Sequence, residues 1–548
     1  MTVTRHQILG ALLGAGALLL CGCFGSLAKR LADRETYPII EQKQIQALGK
    51  ARPFSIDLTT STLTQRILAQ AGTTSDLSTT GGLAISLSDA LAIAIDNSAG
   101  YQSRKEQLYL SALRLTEDRR AFSPIFSGAL AARATREPSG ATAASRLREL
   151  AGDFALSWLL PTGARITAGL SSNLVHTVTG PRAQGSGSFA ASIVQPLLQG
   201  AGTLATLENL RQGERDVIYA VRDFARFRKA FVVGRVTEYF RVLQAANTID
   251  NESLTYQRLI VARQRAEAML EANRMAQVEV DQALQNEIRA RNRWISAQTD
   301  YRQQLDGFKA TLGLPAELNI RPDPRELEKL QQDGLLDLTL TLPAAEQLAQ
   351  ERRLDLMTAR EQVADTERRL AIAENGLLPA LDVRANLNVP QMSGNQPFTF
   401  DWRRRSYGTG LDLDLPLDRK AERNDYRRAL IDAQAAEREA RQLRNDIIVE
   451  VRRAYQNVLE ARQSYEIQEE GLTLAERRVD NVAMLLAAGR TGLNIRDQLE
   501  AEAALLEARI ALTRALVDYT VARLQFFDAT ESLEIDDRGM WDETVTQP

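Results

Sequence analysis

Residues 447–486 read IIVEVRRAYQNVLEARQSYEIQEEGLTLAERRVDNVAMLL. From Ile447, apolar or small side chains fall at Val451, Ala454, Val458, Ala461, Tyr465, Leu472, Ala475, Val479, Val482 and Leu486. The steps alternate four and three, with Gln468 alone interrupting, so one seam stays buried along a very long helix. The stripe stops at Gly489-Arg490-Thr491-Gly492, where glycine tolerates the left-handed backbone that closes a helix. It resumes at Leu499, Ala503, Leu506, Ile510, Val517, Leu524 and Phe527, with Asn494 as a plausible N-cap and Asp497 in the first turn. At ~1.5 Å per residue, the arm from about Lys420 to Ala488 is on the order of 100 Å long. A rod of that length belongs to a hairpin of two long helices rather than to an ordinary globular core.

Working outward, the same unit occurs twice. Ile85-Ser86-Leu87-Ser88-Asp89-Ala90 opens a helix expected to run to Pro124, with Ser88 and Asp89 at its start. Leu340 to Ala345 opens a second, expected to run to Pro379. After each proline come strand-like residues, a Pro-Leu pair (Pro196-Leu197, Pro416-Leu417), a long helix, a break and a return helix. The first copy breaks at Ala272-Asn273-Arg274, the second near Gly489. Ser26 to Gly82 reads as an extended polar lead with a short helix near Leu63 to Ala71.

Four runs alternate with period two: Arg165–Leu174, Ser188–Gln195, Leu381–Val389 and Tyr407–Leu417. In the last, Leu411, Leu413 and Leu415 oppose Asp412 and Asp414. An apolar outside and a charged inside suit a membrane β-barrel, because lipid cannot solvate an aspartate and a water-filled bore can. A half-buried sheet of a soluble sandwich shows the same alternation. These strands are too few to close a wide barrel within one chain, so several chains must contribute.

The 548 residues carry a net charge of −3, so no basic field argues for nucleic acid. Mean hydropathy is −0.25, too polar for a helical membrane bundle. Cys21, Cys23 and His6 all lie in the first segment, where Arg5 precedes an apolar run from Ile8 to Leu20. That order describes an export signal. Leu20-Cys21-Gly22-Cys23 resembles a bacterial lipoprotein lipobox, which implies cleavage before Cys23 and acylation of it. The mature chain would keep one thiol and one histidine, His176, which excludes Cys/His metal sites, disulfides and cysteine–histidine catalysis. No metal, cofactor or enzymatic activity is expected.

Order and spacing, found twice, resemble the TolC-type outer-membrane efflux proteins (outer membrane factors). The residues carrying the likeness are Leu87 to Ala92, Gln195-Pro196-Leu197, Leu415-Pro416-Leu417, and Ala488-Gly489-Arg490 through Ala501. The resemblance implies a mostly α fold with a membrane β-barrel, in which coiled-coil hairpins form an α-barrel and three chains share the strands. It implies a homotrimeric channel-tunnel in the bacterial outer membrane, lipid-anchored and extending into the periplasm. Its partners would be a periplasmic adaptor (membrane fusion) protein, an inner-membrane transporter and outer-membrane lipid. The expected organisation is a signal peptide over 1–22, a linker over 23–82, and a first repeat over 83–320. A connecting segment over 321–338, a second repeat over 339–533 and a tail over 534–548 follow. Two departures stand out: Asp153 to Leu174 reads as an additional hairpin turning at Pro161-Thr162-Gly163, and the first tip has Asn273 where glycine is usual.

A conduit needs a constriction and a docking surface rather than a catalytic centre. Glu279 and Asp281 follow the first tip; Asp497 and Glu500 follow the second. In a trimer each becomes a ring of three like charges, which Arg274, Arg490 and Arg496 could relieve by salt bridges that hold the end shut. The family places gating acids near Asp497. The same acids would equally favour a helix start. The tips Asn273-Arg274-Met275-Ala276 and Gly489-Arg490-Thr491-Gly492 are the expected adaptor contacts. A competing reading is a non-pore periplasmic coiled-coil scaffold or adaptor lipoprotein.

Overall fold

The structure is a computed structural model that describes residues 24–57, 65, 82–137, 145–177, 184–338, 340–392, 398–487 and 495–541. In chain order the elements are α1 (Phe24–Leu48), β1 (Leu83–Ile85), α2 (Leu87–Asn97), α3 (Ala99–Arg120), β2 (Ile125–Glu137), β3 (Ser145–Leu159), β4 (Arg165–Thr177) and β5 (Gln184–Pro196). Next come α4 (Gly202–Thr206), α5 (Glu208–Glu271), α6 (Gln277–Thr311), β6 (Ile320–Pro322), α7 (Arg325–Asp333), α8 (Leu342–Arg352) and α9 (Leu354–Asn375). The chain ends with β7 (Ala380–Pro390), β8 (Ser406–Asp414), α10 (Lys420–Ala487) and α11 (Ile495–Ala529). It forms two compact units, each assembled from three separated stretches.

The first unit comprises Met1–Phe54, Gln107–Val221 and Thr358–Arg441. Its sheet has six strands in the order β2-β3-β4-β5-β7-β8, every pairing antiparallel. The four alternating runs of the sequence all lie in it, and the turn at Pro161-Thr162-Gly163 does close a hairpin, with Leu160 and Ala164 paired across it. Gly163 sits there at φ 89°, a conformation that strains any residue with a Cβ. Strand β2, directly after Pro124, lies where strand-like residues were expected but outside the four alternating runs. Its sequence, IFSGALAARATRE, carries alanine and glycine where a strand pattern needs bulk. The last alternating run also overreaches, since β8 ends at Asp414 and Leu415 to Leu417 lie beyond it.

Residues 24–48 form a helix, which corrects the extended lead expected there. Pro38 within it reads as a breaker in sequence. Packing decides otherwise: Ile39 and Ile40 are buried, and Tyr37 meets the ring of Tyr109 at 5.7 Å. The Tyr109 hydroxyl donates to Asp33 at 2.7 Å, and burial pushes it up to about 12. The short helix expected near Leu63 to Ala71 lies outside the described residues, as do residues 1–22, Cys23 and Asn494.

The second unit comprises Ser55–Glu106, Arg222–Met357 and Gln442–Pro548. Its core is one apolar cluster in which Tyr239, Tyr519 and Phe526 are fully buried. A short parallel pair, β1 with β6, borders it. The Tyr239 hydroxyl bridges this pair, donating to the Ile85 carbonyl at 2.9 Å and accepting from the Asp323 amide at 3.0 Å. The cap of α2 is Ser86, two residues before the expected start; its Oγ accepts the Asp89 amide at 3.1 Å and donates to the Asp89 carboxylate at 2.8 Å. Each opening helix is broken once rather than continuous, at Ser98 (ψ 119°) between α2 and α3 and at Arg353 (ψ 115°) between α8 and α9.

The seam read from residue 447 is largely buried, with Ile447, Val451, Val458, Ala475 and Val482 inside. On the return arm Val517, Leu524 and Phe527 of the expected stripe are buried and Leu499, Leu506 and Ile510 half-buried, while Ala503 is exposed. Other apolar side chains at heptad spacing stay exposed on the same helices: Leu254 and Val261 on α5, Leu284, Ile288 and Ile295 on α6, Ile467 and Leu474 on α10.

Candidate functional site

The pairing register assigns every strand residue to a face, and one face is apolar across all six strands. Phe126 and Leu130 of β2 sit on the same side as Phe154 and Leu156 of β3, then Ile166 and Leu170 of β4. The row continues through Phe189 and Ile193 of β5, Leu381, Val383 and Leu387 of β7, and Tyr407, Leu411 and Leu413 of β8. Several are fully out in solvent for one chain, with Phe126 77%, Tyr407 81% and Leu411 70% exposed. The opposite face is polar. Thr167 and Ser192 are hydrogen-bonded at 2.7 Å across β4 and β5, and Arg384 pairs with Asp412 at 2.5 Å across β7 and β8. Asp382 and Asp414 lie on that face as well. β2 and β8 are the two edges of the sheet.

At the first helical tip, α5 ends at Glu271 and Asn273 adopts φ 57°, the left-handed conformation that asparagine reaches at low cost. The turn is closed by Arg274 N–H donating to the Met269 carbonyl and Asn273 N–H to that of Leu270, each at 2.8 Å. Behind it Ala266, Val280 and Ala283 form a small core against which Leu270 and Met275 pack. Met275 is therefore half committed to holding the turn, while Asn273 and Arg274 are exposed. Further along the hairpin, Arg263 pairs with both Glu267 and Glu287, and Tyr256 stacks on Trp294 at 5.7 Å.

Glu279 lies in the first turn of α6, and Asp281 accepts from the Gln277 side chain at 2.9 Å; both are exposed. Among the described residues neither forms an ion pair with Arg274. Asp497 occupies the first turn of α11 and is half-buried, whereas Glu500 is exposed; neither is a free carboxylate. Gly489, Arg490, Thr491 and Gly492 lie outside the described residues, and Arg496 is in the helix with its side chain undescribed.

Sequence reading missed a buried charge cluster in the second unit. Arg353, 2% exposed, donates to both Asp355 oxygens at 3.1 and 2.8 Å, to Glu450 at 2.8 Å and to the Ala529 carbonyl at 3.2 Å. Arg226 approaches Asp355 at 2.5 Å, and Lys229 reaches Glu531 at 2.8 Å. Burial alone would raise Asp355; Arg353 and Arg226 hold it below the usual carboxylate range. Asp528 goes the other way, pushed up to about 6 by burial and by Glu531, against Arg226, Lys229 and Arg353. The one sequence signal was Arg353 standing where the first copy has Ser98.

The first unit holds a smaller cluster on Asp365, which takes Arg215 at 3.0 Å, Arg368 at 2.8 Å and the Tyr219 hydroxyl at 2.7 Å. Burial, followed by that hydrogen bond, pushes Tyr219 up to about 12. Both clusters lie among packed helices, with Asp355, Asp365, Glu450 and Glu531 each ion-paired, a structural arrangement rather than an acid–base one. No described helix is long and apolar enough to cross a membrane.

Residues 345–530 match the outer membrane efflux protein family. The outer membrane protein TolC of Escherichia coli (strain K12) is 23% identical over 359 residues, 63% of this chain and 69% of TolC. The Campylobacter jejuni CmeC outer membrane channel superposes with a TM-score of 0.59 at 14% identity, covering 81% of this chain and 85% of CmeC. The outer-membrane channel OprN gives 0.57 at 13%, over 88% and 94%. A membrane protein from Pseudomonas aeruginosa gives 0.60 at 15%, over 81% and 93%. The resemblance to outer-membrane efflux proteins read in the sequence holds, and the fold is that of their helical channels.

Proposed function

We propose that this chain is one third of an outer-membrane channel-tunnel that passes substrates from the periplasm, or from an inner-membrane pump, to the exterior. The observation that carries the reading is the six-strand sheet, apolar along one whole face and polar along the other, with two bare edges. β2 and β8 run in opposite directions, so β8 of one copy can pair antiparallel with β2 of the next and keep both faces continuous. Three copies would close eighteen strands around a wetted bore and leave no edge in lipid. The heptad-spaced apolar residues left open on α5, α6 and α10 give the helices a second seam for neighbouring copies. A coiled-coil scaffold without a pore would have no use for an exposed apolar sheet.

In this reading Cys23 carries the lipid anchor, and the two tips meet the adaptor. Rings of Asp497 and Glu500, with Glu279 and Asp281, narrow the far end, and Arg274, Arg490 and Arg496 supply the salt bridges that close it. Purified protein in a planar bilayer should give discrete ion channels; inserted oligomers without conductance would overturn the channel. Asp497→Ala should raise single-channel conductance or alter ion selectivity, and unchanged behaviour would leave only its helix-start role. Gly489→Trp should abolish export while the oligomer still assembles. Retained export would remove the docking assignment.

A further inference from the structure

The segment between β7 and β8 carries Asp401-Trp402-Arg403-Arg404-Arg405, and Trp402–Arg404 form one turn of 3₁₀ helix. The Asp401 side chain caps it, accepting the Arg403 amide at 3.1 Å, and the Asp401 amide is tied to the Pro390 carbonyl at 2.9 Å. The turn rests on the apolar face of the sheet: the Trp402 ring lies 5.8 Å from Phe189, and nearby Phe398 lies 5.9 Å from Phe154. It sits at the β7–β8 end of that face, where Tyr407 of β8 and Val389 of β7 are the outermost apolar-face residues. From Leu381 to Val389 the apolar row spans roughly 26 Å along the strand, or about 20 Å of height at a tilt of about 40°, most of the ~25 Å band of an outer-membrane barrel.

Three arginines therefore project at one rim of the lipid-facing surface, all exposed. Among the described residues none of them has a carboxylate partner, in contrast to Arg384 on the polar face, which pairs with Asp412. Among the described residues at this end of the sheet, 133–137, 145–149, 175–177, 184–187, 390–392 and 398–406, there are seven arginines against two glutamates and one aspartate. Aromatic rings seated in the apolar layer beside unpaired guanidinium groups form an interfacial anchor for anions, and guanidinium matches phosphate bidentately. We infer that Arg403, Arg404 and Arg405 bind the phosphates of anionic lipid headgroups in the outer leaflet. This rests on the channel reading, which places this rim at the outer surface.

The test uses full-length protein in phosphatidylcholine vesicles doped with diphosphoryl lipid A or with its dephosphorylated form, reading lipid retained per protein by native mass spectrometry. Wild type should retain diphosphoryl lipid A about tenfold more tightly than Arg403→Gln/Arg404→Gln/Arg405→Gln, and the preference should fall with salt. Removing equal charge from the exposed arginines of α10, as Arg427→Gln/Arg438→Gln/Arg441→Gln, should change nothing. Equal retention by wild type and the rim variant, equal loss in both variants, or equal wild-type retention of the dephosphorylated lipid would each overturn the site. Bilayer recordings on the same preparation judge the channel separately: channels with no lipid preference sink only this inference, and absent channels sink the reading beneath it.

Discussion

The two copies of the repeat agree in their helices and disagree in their strands. α2 and α8 both have 11 residues, α3 and α9 both 22, and α6 and α11 both 35. α5 and α10 have 64 and 68. Between the opening helices and the Pro-Leu pair, however, the first copy runs from Arg120 to Pro196 and places four strands, while the second runs from Asn375 to Pro416 and places two. The physical reason is what each element needs from its neighbours. A helix in a packed wall cannot change length without moving every seam beside it. A hairpin added at a sheet edge satisfies its own backbone and presents a fresh edge of the same kind.

Side chains at matching helix positions differ as well. Ser98 and Arg353 both break the opening helix, yet Arg353 is buried in four hydrogen bonds. Both 35-residue helices close through a left-handed residue, Gly313 at φ 70° in the first copy and Glu531 at φ 60° in the second. Glycine takes that conformation without strain; Glu531 is held in it by Lys229. The second copy thus locks with charge what the first closes with small residues.

The sharpest way to break the comparison is to make the copies alike. Excising 125–162 removes β2, β3 and their turn and joins Pro124 to Gly163 at one end of the sheet. If the hairpin is a self-sufficient addition, the shortened chain should still assemble, with single-channel conductance lowered to about half as the barrel narrows. Failure to assemble would make the hairpin part of the common core.

Next in size, Arg353→Ala should destabilise by about 3 kcal/mol because it removes a buried guanidinium that makes four hydrogen bonds and leaves Asp355 with Arg226 alone, whereas Ser98→Ala should cost under ~1 kcal/mol. Thermal unfolding of both variants checks this, and equal losses would erase the asymmetry between the breaks.

The smallest effect concerns Asp528, where the first copy has Ala310. Its pKa is raised to about 6 from 3.8, so the folded state holds the proton more tightly than the unfolded one. That stabilisation is present at low pH and is lost as pH rises from about 4 through 6. Asp528→Asn should therefore raise stability by about 2–3 kcal/mol above pH 7 and leave it nearly unchanged at pH 4. A gain independent of pH would remove the protonation argument.

The long helices were legible because a heptad stripe repeats over many turns, and the tip at Asn273 because few residues tolerate its backbone. The breaks at Ser98 and Arg353 were not, since neither residue breaks a helix by itself. Helix α1 was obscured by Pro38, whose cost is offset by the burial of Ile39 and Ile40. Of the candidate site residues, first-turn placement of Glu279 and Asp497 could be read from the helix starts. Whether Met275 faces a partner or its own turn could not.

By itself the sequence determined the long helices and the strands with strong period-two alternation, and which side of each is apolar, because local spacing sets both. Tertiary structure alone decided what long-range pairing fixes. The register aligns six half-apolar strands into one continuous apolar surface, β2 among them. Helices far apart in the chain bring Arg226, Lys229, Arg353, Asp355 and Asp528 into one buried cluster, where proximity and lost hydration set their charge.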